Sequence, residues 1–152
     1  MIDRLIATLA ARGETLAVAE SLTGGLLAAT IVSVPGVSKV FRGGLVTYAT
    51  DLKHTLAGVD ADLLAEHGPV HPEVARQMAA GARERCGATW GLSTTGVAGP
   101  GAQDGVPEGV VFVAIDGPQR KVEHLTLSGG RQTIRQAAVD AVLALLESSI
   151  VT

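Results

Sequence analysis

One cysteine, Cys86, stands among 152 residues, so no internal disulfide can staple the chain. It precedes Gly87 at a predicted helix end with no histidine near it in sequence, and is read as a small packing residue rather than a nucleophile. The four histidines (His54, His67, His71, His124) are scattered, and no metal-binding set is read from them. Aromatics make up only 3% of the chain, and Tyr48 is the single tyrosine. Basic residues do not dominate either. The net charge is −3 and there is no lysine-rich run, which argues against a nucleic-acid binder. No apolar run approaches the roughly 20 residues that cross a bilayer. The opening residues, MIDRLIATLAARGE, carry charges at both ends of a helical period and do not read as a signal peptide. A soluble cytoplasmic domain is expected, with neither nucleic acid nor membrane as partner.

What the chain has in abundance is small and aliphatic residues. Hydrophobic residues reach 47%, and alanine, valine, leucine and glycine dominate, a composition suited to close packing of helix on sheet. The length fits one domain over residues 1–152. Ile2, Leu5, Ile6 and Leu9 share one helical face over residues 2–12, and Gly13 stops that helix. Strands are predicted over 15–20, 43–50, 89–97, 109–117 and 120–129. Helices are predicted over 24–36, 51–58, 60–68, 71–87 and 131–150. The helix over 71–87 has Pro72 and Glu73 in its first turn, Arg83 and Arg85 in its last, and Gly87 as its stop. Early strands alternate with helices and imply parallel pairing, whereas the late strands form a hairpin around DGPQ. The expected fold is α/β: a three-layer α/β/α sandwich on a mixed five-stranded sheet.

Four segments carry chemistry. In AVAESLTGGLLAAT, residues 17–30, a strand ends near Glu20 and a helix begins near Gly24. This is the carboxyl end of a strand, where open α/β sheets bind ligands. The N–H groups of Thr23, Gly24 and Gly25 are first-turn donors able to hold a phosphate or an oxyanion, unless Ser21 or Thr23 merely caps the helix. In VTYATDLKHTLAGV, Tyr48 closes a strand and Lys53 follows by five residues in the first turn of a helix. A lysine placed there has a depressed pKa and can take a proton from a serine hydroxyl; the alternative is a solvated surface lysine.

The third segment, STTGVAGPGAQDGVPEG, is a Gly-rich loop between strands. It is neither a Walker loop nor a dinucleotide fingerprint, since no Gly-Lys-Ser/Thr follows and no helix begins there. Thr95, Gly96, Gly99 and Gly101 are candidate binding positions in it, and Asp104 and Glu108 are read as solvated charges. In the fourth, SGGRQTIRQ, Arg131 and Arg135 sit at the start of the last helix, where cations oppose the dipole unless an anion lies there.

Together, AESLTGG, GGLVTYATDLKHTLAGV, STTGVAGPGAQDGVPEGVVFVAI and SGGRQTIRQAAVDA resemble the C-terminal domain of the CinA family, the competence/damage-inducible proteins. The resemblance covers nearly the whole chain. The standalone form of that domain is a nicotinamide-nucleotide amidohydrolase (PncC type), and the resemblance implies this activity. The carboxamide of nicotinamide mononucleotide (NMN) would be hydrolysed to nicotinic acid mononucleotide and ammonia, without metal or cofactor. It implies Ser21 of the AES-x-TGG motif as nucleophile, Lys53 as base and Tyr48 of VTY as a third catalytic residue. Where many members carry GDR, this chain has Gly129-Gly130-Arg131. The resemblance also implies a homodimer.

In the implied reaction Ser21 attacks the carboxamide carbon. Lys53 accepts the serine proton and passes a proton to the leaving ammonia. Backbone donors of the TGG turn or the 96–101 loop hold the oxyanion, at about 3 kcal/mol per donor. Tyr48 orients or relays between Ser21 and Lys53, and Arg131 holds the substrate's 5′-phosphate. Two alternatives stay open at this point: a catalytically silent nucleotide-binding or regulatory domain of the same fold, and a different amide as substrate.

Overall fold

The computed structural model describes residues 1–150. In chain order these form α1 (Ile2–Arg12), β1 (Leu16–Glu20), α2 (Leu26–Val32), a short 3₁₀ turn (Val37–Lys39), β2 (Phe41–Val46), α3 (Thr50–Thr55), α4 (Ala61–His67), α5 (Pro72–Cys86), β3 (Trp90–Gly96), β4 (Val110–Asp116), β5 (Lys121–Thr126) and α6 (Arg131–Ile150). The strands make one sheet in the order β2-β1-β3-β4-β5. β1 pairs in parallel with β2 and β3, and β3-β4 and β4-β5 are antiparallel. This is the expected three-layer sandwich on a mixed sheet.

β1 lies between β2 and β3, and every residue in it is buried. Its two faces differ in size. Leu16 and Val18 point into the larger core with Leu5, Leu27, Ile134 and Leu146, under α1, α2 and α6. Ala17 and Ala19 face Val74, Met78 and Ala82 of α5. The small residues on the α5 side have a geometric reason. A Cβ on Gly91 of β3 would lie 2.0 Å from the Ala79 carbonyl oxygen, and one on Gly81 of α5 would lie 1.8 Å from that of Ala57. The α5 backbone therefore rests directly on its neighbours, which larger residues would prevent.

Boundaries differ from the sequence expectation at most elements, and the second strand and the second helix differ in ways that bear on the site. The second strand is Phe41–Val46 rather than 43–50, because its register on β1 ends where Val46 faces Glu20. Tyr48 therefore lies beyond the strand instead of closing it. The second helix begins at Leu26, not Gly24, because Gly24 and Gly25 take left-handed φ of 56° and 106°. That helix also ends at Val32, short of the end expected near Pro35.

The parallel trio sets the site. Chain order reverses across β1: β2 flanks it on one side and β3 on the other. The carboxyl ends of all three strands share one edge of the sheet, the place where doubly wound sheets open a crevice.

Candidate active site

The end of β1 carries Glu20 and Ser21. Glu20 is fully buried and turns under the start of α2. Its Oε1 accepts hydrogen bonds from the N–H groups of Gly25 (3.2 Å) and Leu27 (2.8 Å), and Oε2 from that of Ala28 (3.0 Å). An acidic side chain is favoured at this end of a helix. Neither Ser21 nor Thr23 caps α2; Glu20, which the sequence reading passed over, does so instead. The apolar run through LAVAE masked it, since only the fold shows a glutamate reaching forward into the next turn. The N–H of Gly25 is thus taken, and that of Gly24 bonds the Ser21 carbonyl at 3.0 Å. The expected anion cradle at Gly24 and Gly25 is closed by the protein itself.

Ser21 is 7% exposed and held by its backbone, its N–H donating to the Thr94 carbonyl of β3 at 3.0 Å. Its Oγ lies 2.8 Å from Lys53 Nζ. Thr23 Oγ1 pairs with Thr94 Oγ1 at 2.8 Å, so Thr94, unmarked in the sequence, braces the turn from the neighbouring strand.

Lys53 reaches Ser21 from α3. It is 1% exposed, not the solvated surface lysine that its residue type alone suggested. Nζ donates to the carbonyls of Thr47 (2.7 Å) and Tyr48 (3.3 Å) as well as facing Ser21. Among the described residues no carboxylate forms an ion pair with it. Burial pushes the ammonium down from 10.5 to about 8. The cause is desolvation. With Lys53 neutral, two N–H bonds are accounted for by two acceptor-only carbonyls. The lone pair is left for the one partner that can donate, the Ser21 hydroxyl.

Tyr48 is 57% exposed. Its carbonyl, not its phenol, touches Lys53; the phenol oxygen accepts from Arg131 Nη2 at 3.3 Å. Among the described residues the phenol makes no hydrogen bond to Ser21 or Lys53, so the expected relay through the ring hydroxyl is not formed. Arg131 Nη1 also donates to the Gly99 carbonyl at 2.6 Å and ties the Gly-rich loop to the start of α6.

Ser21, Lys53, Tyr48, Thr95, Gly96 and Arg131 line one cavity of about 50 Å³, with Asp104 at its wall. Thr95 Oγ1 donates to the Pro69 carbonyl at 2.8 Å. Thr23, Gly24, Gly25, Gly99 and Gly101 lie off that wall; the Gly101 N–H bonds Glu108 Oε1 at 3.2 Å. Glu108 is therefore a tie within the loop as well as a loop charge. The rings of His67 and His71 lie tilted by 30° with centroids 4.5 Å apart, one ending α4 and the other capping α5, and no cluster of three ligating side chains occurs among the described residues.

Residues 1–150 match the family described as CinA C-terminal domain. The chain belongs to that family. It is 49% identical over 143 residues to a CinA-like protein of Frankia casuarinae, covering 93% of this chain and 33% of the relative. It is 46% identical over 149 residues to a CinA-like protein of Gloeobacter violaceus, covering 95% and 35%. This CinA domain thus spans about a third of the length of the curated relatives it matches. Among solved structures it is similar to competence/damage inducible protein CihA of Agrobacterium tumefaciens, with TM-score 0.93, 34% identity and coverage of 97% and 92%. It is also similar to a competence-damaged protein (CinA) superfamily protein of Escherichia coli, with TM-score 0.94, 32% identity and coverage of 98% and 88%. Among the described residues of this CinA domain, no helix is long and apolar enough to cross a membrane.

Proposed function

We propose that this CinA domain is an amidohydrolase that converts NMN to nicotinic acid mononucleotide and ammonia. The observation that carries the reading is the 2.8 Å approach of a buried lysine, with no carboxylate partner among the described residues, to a buried serine hydroxyl. Such a pair is a nucleophile with its base already in hydrogen-bond range.

Neutral Lys53 takes the Ser21 proton as Oγ bonds to the carboxamide carbon. The C=O electron pair moves to oxygen, and the oxyanion is held by a backbone donor. The N–H of Leu22 is suited to this: Leu22 lines the cavity, and its N–H has no partner among the described residues. The tetrahedral adduct then collapses. The C–N bond breaks, Lys53 gives its proton to the departing nitrogen, and ammonia leaves an acyl-Ser21 ester. Water, deprotonated by the same lysine, cleaves that ester and restores Ser21. Arg131, at the cavity wall with part of its guanidinium uncommitted, is the cation for the 5′-phosphate.

Purified protein incubated with NMN is expected to release ammonia and nicotinic acid mononucleotide in equal amounts, and Ser21→Ala to release neither. If the wild-type protein raises its melting temperature with NMN yet forms no product, the hydrolase reading fails and the silent binding domain takes its place.

A further inference from the structure

Arg135 was expected at an anion, and the structure gives it backbone oxygens instead. Its Nε donates to the Leu22 carbonyl at 2.9 Å and Nη2 to the Thr23 carbonyl at 2.8 Å, while Nη1 is held by Gln132 Oε1. It does not line the cavity. The guanidinium thus grips two successive peptides of the turn that carries Ser21, from a helix on the far side of that turn.

The hydrogen bonds continue from there toward the cavity. The Thr23 carbonyl shares its peptide with the Gly24 N–H, which donates to the Ser21 carbonyl at 3.0 Å. The Ser21 carbonyl shares its peptide with the Leu22 N–H, the donor left without a partner. In a trans peptide the C=O and the following N–H point in opposite directions, so fixing each oxygen fixes the next N–H. Each link also polarises the next in the same sense. A cation on the first carbonyl draws electron density along the chain and strengthens the last donor.

We propose that Arg135 is a positioning residue. Acting through the Thr23–Gly24 and Ser21–Leu22 peptides, it aims and polarises the Leu22 N–H for the oxyanion. The proposal rests on the reading of Ser21 as nucleophile. It also gives a role to the second cation near the start of α6, one turn in from Arg131.

The test compares wild type, Arg135→Gln and Arg135→Lys by steady-state kinetics with NMN, and by the amide resonance of Leu22 in ¹⁵N-leucine-labelled protein. Removing one oxyanion donor costs about 10²–10³ in rate, and weakening one costs less. Arg135→Gln is therefore expected to lose about thirtyfold in kcat. KM is expected to stay within about twofold, because the ground-state carboxamide uses the oxyanion donor little. The pH midpoint set by Lys53 stays in place, and the Leu22 amide proton moves upfield. Arg135→Lys, which keeps the charge and one donor, recovers part of kcat. A purely structural role would instead raise KM and move the pH midpoint as the Ser21–Lys53 geometry loosened. Wild-type kcat in Arg135→Lys with an unmoved Leu22 resonance overturns the proposal, whether or not the glutamine variant folds. If the wild-type protein releases no ammonia, the hydrolase reading fails separately, and the Leu22 resonance still decides whether Arg135 controls that donor.

Discussion

Glu20 and Ser21 divide the end of β1 between them. The glutamate turns toward α2 and accepts three of its early N–H groups, and the serine turns to the other partner, Lys53 Nζ at 2.8 Å. A serine at a strand-to-helix turn ordinarily caps the helix. Here that task is taken, so the Ser21 hydroxyl is left for Lys53.

That division predicts a loss of stability at Glu20 out of proportion to its place at a turn. Glu20→Ala leaves three N–H groups without their acceptor, that of Leu27 buried and those of Gly25 and Ala28 partly so, and is expected to destabilise by about 3 kcal/mol. Glu20→Gln keeps one acceptor oxygen and is expected to lose less. Urea unfolding checks both; an alanine variant as stable as wild type would remove Glu20 as the cap.

Lys53 predicts two pH dependences. As base it must be neutral, so kcat/KM is expected to rise tenfold per unit below about pH 8 and level off above it. At pH 7 only about a tenth of the protein holds the neutral lysine. The stability sign follows from the same shift. Folded Lys53 gives up its proton near 8 and the unfolded lysine near 10.5, so between those values the unfolded state binds more protons and stability rises with pH. The rise is about 3 kcal/mol for Lys53 alone. Lys53→Met is expected to abolish turnover and to remove that rise. Denaturation of both proteins across pH 7–11 measures the difference, and parallel curves would contradict a buried, desolvated lysine.

Arg131 predicts a split by substrate. Arg131→Ala is expected to raise KM for NMN by about tenfold or more, the worth of a charge-assisted contact, with kcat within about threefold. Nicotinamide riboside, which lacks the phosphate, is expected to show the smaller change. Equal changes for both substrates would place the phosphate elsewhere and leave Arg131 as the tie between Gly99 and Tyr48.

Gly91 predicts a packing limit far from the chemistry. Its added Cβ would meet the Ala79 carbonyl oxygen at 2.0 Å and the Arg83 nitrogen at 2.9 Å, both backbone atoms of α5 that cannot rotate away. Gly91→Ala is expected to cost about 3 kcal/mol and to lower Tm by about 10 °C. Calorimetry checks it; an unchanged Tm would mean that α5 can lift from β3 without penalty.

Much of this protein is determined by its sequence read one segment at a time. Apolar runs, helical periodicity and Gly or Pro stops mark where the helices and strands lie, though not all their ends, and the alternation of early elements sets the parallel pairing. These are local properties, carried by residues a few positions apart. Lys53 and Arg131 stand out in the same way, each as a cation near a helix start where the dipole disfavours it, whereas Ser21 by itself reads equally as a helix cap. What they do to one another is not local. Ser21 and Lys53 are 32 residues apart and meet only because β1 and β2 pair in parallel and end at one edge. The burial that lowers the Lys53 pKa comes from that same meeting. Glu20 and Arg135 were legible as charges, but not as the two grips on the Ser21 turn. Their partners are backbone N–H and C=O groups, which every residue carries and no sequence pattern marks. Only the tertiary structure decided which of those groups were left free.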